Sequence, residues 1–248
     1  VSPPGVSARP MGRQSVQLHE HTDEAALVAA VAAALRTALM LDRDRNSEAL
    51  LLLSGGATPI PIYRALAPHL ADVAPVTLAL VDERWVGPDD AGSNARMLRE
   101  TLLSEPAPGV RFWPLADLPA GIEAAVAQAN ARLRASALVP SMVVFGMGDD
   151  GHTASLFPGS ADLPRALASV DPYVALDATG CPVAGQWPRR ITLTPAGWRN
   201  ARHRLLVIRG ERKRQVFERA QREQDPLDLP IAAAIEMGSA PLNVHWSP

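Results

Sequence analysis

The densest run of chemically capable residues is Gly146-Met147-Gly148-Asp149-Asp150-Gly151-His152. Its glycines permit an unusual backbone path. Asp150 and His152 stand two apart, so the carboxylate can orient the imidazole. A neutral imidazole is the usual general base near pH 7, because its ordinary pKa lies close to the working pH. The plain alternative is a structural histidine at a turn, and His19, His69 and His245, which lack such neighbours, read that way. A second run, Ser54-Gly55-Gly56-Ala57-Thr58-Pro59, suits an anion. Gly55 and Gly56 let the backbone approach a ligand, a following helix would point free N–H groups at it, and Ser54 and Thr58 add hydroxyls. It carries neither the Gly-Lys-Ser/Thr of a nucleotide loop nor a dinucleotide G-x-G-x-x-G. The alternative is a tight turn without a ligand. In Asp82-Glu83-Arg84, Arg84 can clamp a phosphate and Asp82 a sugar hydroxyl or a proton; the alternative is a surface salt-bridge cluster.

The elements around these runs explain why they should meet. Ala49 to Leu53, Val76 to Val81 and Met142 to Phe145 are short continuous apolar runs, as expected of strands buried on both faces. Each is followed directly by one of the three clusters. Helical period is read over residues 23–41, capped by Thr22 or Asp23, over a stretch from Ser93 to Leu103, over 120–138 and over 211–221. Residues 42–48 read as a loop, and 191–194 and 205–208 as further strands. Alternation of strands and helices predicts an α/β protein with a mostly parallel sheet flanked by helices. Such sheets bind ligands beyond the carboxyl ends of their strands, so segments 54–59, 82–84 and 146–152 should converge. Region 158–188, rich in Pro and Gly, reads as a small subsidiary lobe of loops and short strands. Residues 1–14 read as a mobile tail and 15–248 as a single α/β domain.

Composition removes several classes. Of 248 residues, 47% are hydrophobic and 20% charged, with a net charge of −2. A chain this apolar can offset its chain entropy by burial, so disorder is excluded. The charge balance gives no general pull toward nucleic acid or anionic membranes. The basic residues between Arg199 and Arg214 lack interleaved aromatics and read mainly as solvated faces. One cysteine, Cys181, excludes an internal disulfide and a multi-cysteine metal site, and suits a reducing cytoplasm. The most apolar stretch, Leu27 to Leu35, stops at Arg36, short of the roughly 20 residues a bilayer requires.

Taken together, the motifs resemble the 6-phosphogluconolactonase family over about residues 50–217. The resemblance rests on Ser54-Gly-Gly-Ala-Thr-Pro59, Asp82-Glu-Arg-Trp-Val86 with Ser93-Asn94, Gly146 to Gly159, Arg190-Ile-Thr-Leu-Thr194 and Gly210-Glu-Arg-Lys213 in that order. It implies a modified Rossmann-like α/β fold shared with glucosamine-6-phosphate deaminases. It also implies hydrolysis of 6-phospho-D-glucono-1,5-lactone in the pentose phosphate pathway, with no cofactor and no required metal. By motif match His152 is the base and Asp150 its orienter. Ser54, Gly55, Gly56, Thr58, Asp82, Arg84, Arg190 and Lys213 are the substrate or phosphate contacts. Ala57 departs from the pattern, since the family commonly carries Ser or Arg there; only its backbone amide is available. Deaminases resemble the Asp-Gly-His run but usually continue into Asn-Glu-Pro. Here Ala154-Ser155-Leu156-Phe157-Pro158 follows, with no carboxylate, which favours the lactonase reading. The implied partner is a small sugar-phosphate lactone, without nucleic acid, membrane or an inferable protein partner.

Overall fold

A computed structural model describes residues 16–46 and 48–248. The tail read over 1–14 lies outside the described residues. The chain begins with strand β1 (Val16–Glu20) and helix α1 (Glu24–Asn46), then β2 (Ala49–Leu53), α2 (Ile60–Leu66) and α3 (Leu70–Val73). It continues through β3 (Val76–Leu80), β4 (Asp82–Arg84), α4 (Asn94–Thr101), β5 (Val110–Trp113), α5 (Ile122–Ser136) and β6 (Met142–Phe145). A smaller lobe holds α6 (Leu163–Leu167), β7 (Tyr173–Asp177) and β8 (Arg189–Leu193). The chain closes with α7 (Pro195–Trp198), β9 (His203–Arg209), α8 (Glu211–Glu223), α9 (Ile231–Glu236) and β10 (Leu242–Ser247).

Seven strands form one parallel sheet in the order β1-β10-β9-β6-β2-β3-β5. β2 and β3 are buried at every residue, so Leu50 to Leu53 and their neighbours have helices on both faces. The chain runs outward from β2 to β3 and β5, then returns to β6 on the other side of β2. That reversal opens a crevice beyond the carboxyl ends of β2 and β6, where the turns after Leu53 and Phe145 must lie.

A second, antiparallel sheet, β4-β8-β7, stands beside it; only β7 falls within 158–188, where the subsidiary lobe was expected, and β4 and β8 come from outside that stretch. The Tyr173 hydroxyl on β7 donates to the Leu80 carbonyl on β3, and backbone bonds of one residue join the sheets as well. Val81, between β3 and β4, donates its N–H to the Leu53 carbonyl and accepts from the Leu193 N–H. Buried residues of both sheets belong to one apolar cluster.

Helix α1 corrects two readings. Asp23 caps it by accepting from the Ala26 N–H at 2.8 Å, but the helix runs on through Asp42, where a loop was expected. Asp42 is fully buried and receives the Arg202 guanidinium at 2.9 Å, so its charge does not end the helix. Over Glu24–Arg45, where an 18-residue window has a mean hydropathy of 1.7, α1 is long and apolar enough to cross a bilayer by length and composition. In this fold its Leu27, Val31, Leu35 and Leu39 are fully buried in the core instead. Each such side chain contributes about 1.5–3 kcal/mol by burial.

Candidate active site

Each expected cluster follows its strand, and the clusters do converge. Ser54, Gly55, Gly56, Thr58, Asp82, Arg84, His152, Arg190 and Lys213 all line one cavity of about 290 Å³. Asp150 stands behind His152, in a shallower cleft that shares Val183 and Lys213 with the main cavity.

In the turn after β6, His152 Nδ1 lies 2.6 Å from Asp150 Oδ1, and the His152 backbone N–H donates to the same oxygen at 3.2 Å. Burial opposes ionisation of Asp150. The hydrogen bond and charge of His152 outweigh it and hold the carboxyl below its usual range. An ionised carboxylate only accepts, so Nδ1 carries the proton and Nε2 is left as the basic lone pair. Gly148 makes room for this arrangement. A Cβ there would fall on the His152 ring and on Asp150 Oδ1. Phe157 packs against the imidazole with ring centroids 4.8 Å apart.

The turn after β2 is pinned from below. The Tyr63 hydroxyl donates to the Ser54 carbonyl at 2.8 Å. Tyr63 is fully buried, and burial pushes its phenol well above its ordinary value, so it remains a donor. Ser54 Oγ is buried and has no partner. Gly55 lies against Asn94; a Cβ at Gly55 would occupy the position of the Asn94 amide. Asn94 in turn donates Nδ2 to the Asp82 carbonyl at 2.8 Å.

The turn after β3 divides its roles differently from the sequence reading. Glu83, given no task by that reading, is buried and accepts from the N–H groups of Arg84, Asn94 and Ala95 and from the Ser93 hydroxyl. Burial raises its pKa, and those N–H groups oppose the rise. It therefore ties the start of α4, which Ser93 also caps through the Arg96 N–H. Asp82 is engaged by the Ser155 hydroxyl at 2.6 Å, by Asn94 and, at 3.8 Å, by Arg190. Arg84 donates Nη1 to the Gly92 carbonyl and lies over the Trp187 ring, while its buried Nε has no partner. Arg190 is 4% exposed and commits Nε and Nη2 to the carbonyls of Trp187 and Ala184, with Nη1 3.8 Å from Asp82. Burial lowers its guanidinium pKa to about 10.

Sequence reasoning missed Tyr63, Trp187 and Val183. Tyr63 sits in a helix and Val183 and Trp187 in the Pro- and Gly-rich stretch read only as loops and short strands, and their roles depend on contacts with other segments. The basic stretch is also more structural than expected. Arg204 is fully buried and donates to the carbonyls of Ala234 and Ala240. Among the described residues no group of three or more His, Cys, Asp or Glu side chains is placed to hold a metal ion.

One crevice of a parallel sheet thus holds a His–Asp pair beside Ser and Arg donors without partners. Comparison gives the class. Residues 22–246 match the family described as glucosamine-6-phosphate isomerases/6-phosphogluconolactonase, and the chain belongs to that family. A 6-phosphogluconolactonase from Xylella fastidiosa (strain 9a5c) is 47% identical over 231 residues, covering 93% of this chain and 96% of that protein. One from Rhizobium meliloti (strain 1021) is 35% identical, covering 94% of this chain and all of its own length. The crystal structure of a 6-phosphogluconolactonase from Shewanella baltica superposes with a TM-score of 0.86 at 32% identity, covering 95% of this chain and 99% of that one.

Proposed function

We propose that this chain hydrolyses 6-phospho-D-glucono-1,5-lactone to 6-phospho-D-gluconate, as a cytoplasmic enzyme of the pentose phosphate pathway. The observation that carries the reading is the His152–Asp150 pair, 2.6 Å apart, with His152 lining a cavity that Ser54 and Arg84 also line. A base and a set of spare anion donors are what a phosphorylated lactone requires.

His152 Nε2 takes a proton from water as the water oxygen bonds to lactone C1. The carbonyl electrons move onto oxygen, and the oxyanion is met by positioned donors such as the loop amides. The carbonyl then re-forms, the bond from C1 to the ring oxygen breaks, and the His152 imidazolium returns its proton to that oxygen. Asp150 steadies the imidazolium in between. General acid–base catalysis of this kind supplies about 10²–10⁴-fold. Two observations speak against Ser155 as a nucleophile: its hydroxyl donates to Asp82, and no Gly-x-Ser-x-Gly elbow is present. The phosphate is held by Ser54, the Gly55, Gly56 and Thr58 turn, Arg84 and Lys213.

A rapid lactone-hydrolysis assay, with spontaneous opening subtracted, tests the reading. Hydrolysis of the phosphorylated lactone is the expected result. Ammonia release from glucosamine 6-phosphate without lactone hydrolysis would replace it with the deaminase reading, and binding without either activity would replace it with a sensor.

A further inference from the structure

The loop over residues 178–188 connects β7 to β8 and forms one wall of the cavity through Val183. Its neck closes where the Ala178 N–H meets the Pro188 carbonyl. Inside are tight local turns: Cys181 to Ala178, Ala184 to Cys181, Gly185 to Pro182 and Trp187 to Ala184, each N–H to carbonyl. Gly180 and Gly185 bracket the turn that bears Val183 with φ of +89° and +61°. These bonds shape the loop but do not tie it to the rest of the site.

Arg190 does tie it. From β8 its Nε donates to the Trp187 carbonyl at 2.5 Å and its Nη2 to the Ala184 carbonyl at 3.1 Å, two points on either side of Gly185. The guanidinium is fixed in turn by Phe157, 5.4 Å below it, and by Asp82. Its planar fork presents donors at a fixed spacing and so suits bridging two fixed acceptors better than the single nitrogen of a lysine. A phosphate drawing on these same N–H groups would have to take them from buried carbonyls, leaving those acceptors unsatisfied. Arg84, with a spare Nε, carries no such cost.

We infer that Arg190 is a positioning residue for the lactone site: it fixes the 178–188 loop, and with it the Val183 wall, rather than binding the phosphate. Val183 is half exposed on the cavity wall, where a bound sugar would cover it. A wall held in place beforehand spares the ordering cost when substrate enters. The inference rests on the proposed lactonase function, since it assumes that the lactone occupies this cavity.

The test compares Arg190→Ala and Arg190→Met with wild type; the methionine keeps volume against Phe157 while removing every donor. Activity is measured on 6-phosphogluconolactone and on unphosphorylated gluconolactone, and amide hydrogen exchange is followed across 178–188. The expected result is a loss in kcat/KM of about tenfold or more on both substrates, with their ratio kept within about twofold. Exchange across the loop should rise while the sheets stay protected. A loss of about tenfold or more confined to the phosphorylated lactone, with loop exchange unchanged, would make Arg190 a phosphate ligand and overturn the inference. If wild type hydrolyses neither lactone, the functional reading fails, and the exchange result alone still decides whether Arg190 holds the loop.

Discussion

Arg84 and Arg190 are direct register partners across β4 and β8, yet their guanidinium groups part company on either side of Trp187. Arg84 lies over the indole and donates to Gly92; Arg190 reaches the Trp187 carbonyl. Like charges opposite one another on a sheet repel. Here the divergence and the nearby Asp82 relieve that repulsion. It leaves two cations beside one cavity, only one of which has a buried donor to spare.

His152→Ala should lower kcat about 10²-fold or more while leaving KM largely unchanged, since the imidazole acts on the proton and not on the bulk of substrate binding. Steady-state kinetics on protein shown to be folded by circular dichroism checks this. A folded variant with near wild-type kcat removes His152 as the base.

Gly148→Ala should act on the same step without touching either catalytic side chain. The added methyl would displace the His152 ring and Asp150 Oδ1. A kcat loss of about tenfold or more is expected from the misplaced base, with little change in melting temperature. An unaltered kcat would show that the pair tolerates displacement.

Lys213→Ala should raise KM for the phosphorylated lactone about tenfold or more and change kcat less. The phosphate lies far from C1, so its contacts are nearly equal in ground and transition states. Wild type should correspondingly be a poor catalyst of unphosphorylated gluconolactone. Equal kcat/KM on the two lactones would remove the phosphate pocket.

Acid should destabilise the fold through His245. Burial, and then the nearby His19 and His21, push its imidazole down to about 4, and it stacks on both rings, 4.6 and 5.1 Å away. Between the ordinary imidazole value of about 6.5 and that lowered value, the unfolded chain binds the proton that the folded chain refuses, so stability falls as pH drops. The loss from this residue is about 2–3 kcal/mol by pH 4.5. Urea unfolding at pH 7 and 4.5 should show a smaller difference for His245→Gln than for wild type. An equal difference in both proteins would assign the acid sensitivity elsewhere.

What could be read from the chain alone follows from where the signals lie. The turns carrying Ser54, Asp82 and His152 were legible because each polar or glycine-rich cluster directly follows a continuous apolar run. The Ser93 cap was legible for a similar local reason. β1 and β10 were not, because Val16–Glu20 and Leu242–Ser247 mix apolar and polar residues without a buried run. The full length of α1 was hidden because Asp42 looks like a loop residue until Arg202, far along the chain, arrives to pair with it. The engagement of Arg190 was hidden for the same reason. Residue type announces a cation, but only tertiary structure shows which acceptors have already claimed it.

Val81 hinges the two sheets through backbone bonds to Leu53 and Leu193, residues distant from each other in the chain. The cavity lies along that seam, with Ser54 on one side and Arg190 on the other. The bond to Leu193 joins segments remote in sequence, and such long-range contacts carry a loop-closure cost. Mild heat or denaturant that opens the small sheet at Leu193 would separate the halves of the site while the seven-stranded sheet stayed intact. Activity lost before the core melts would then report a local parting of the sheets.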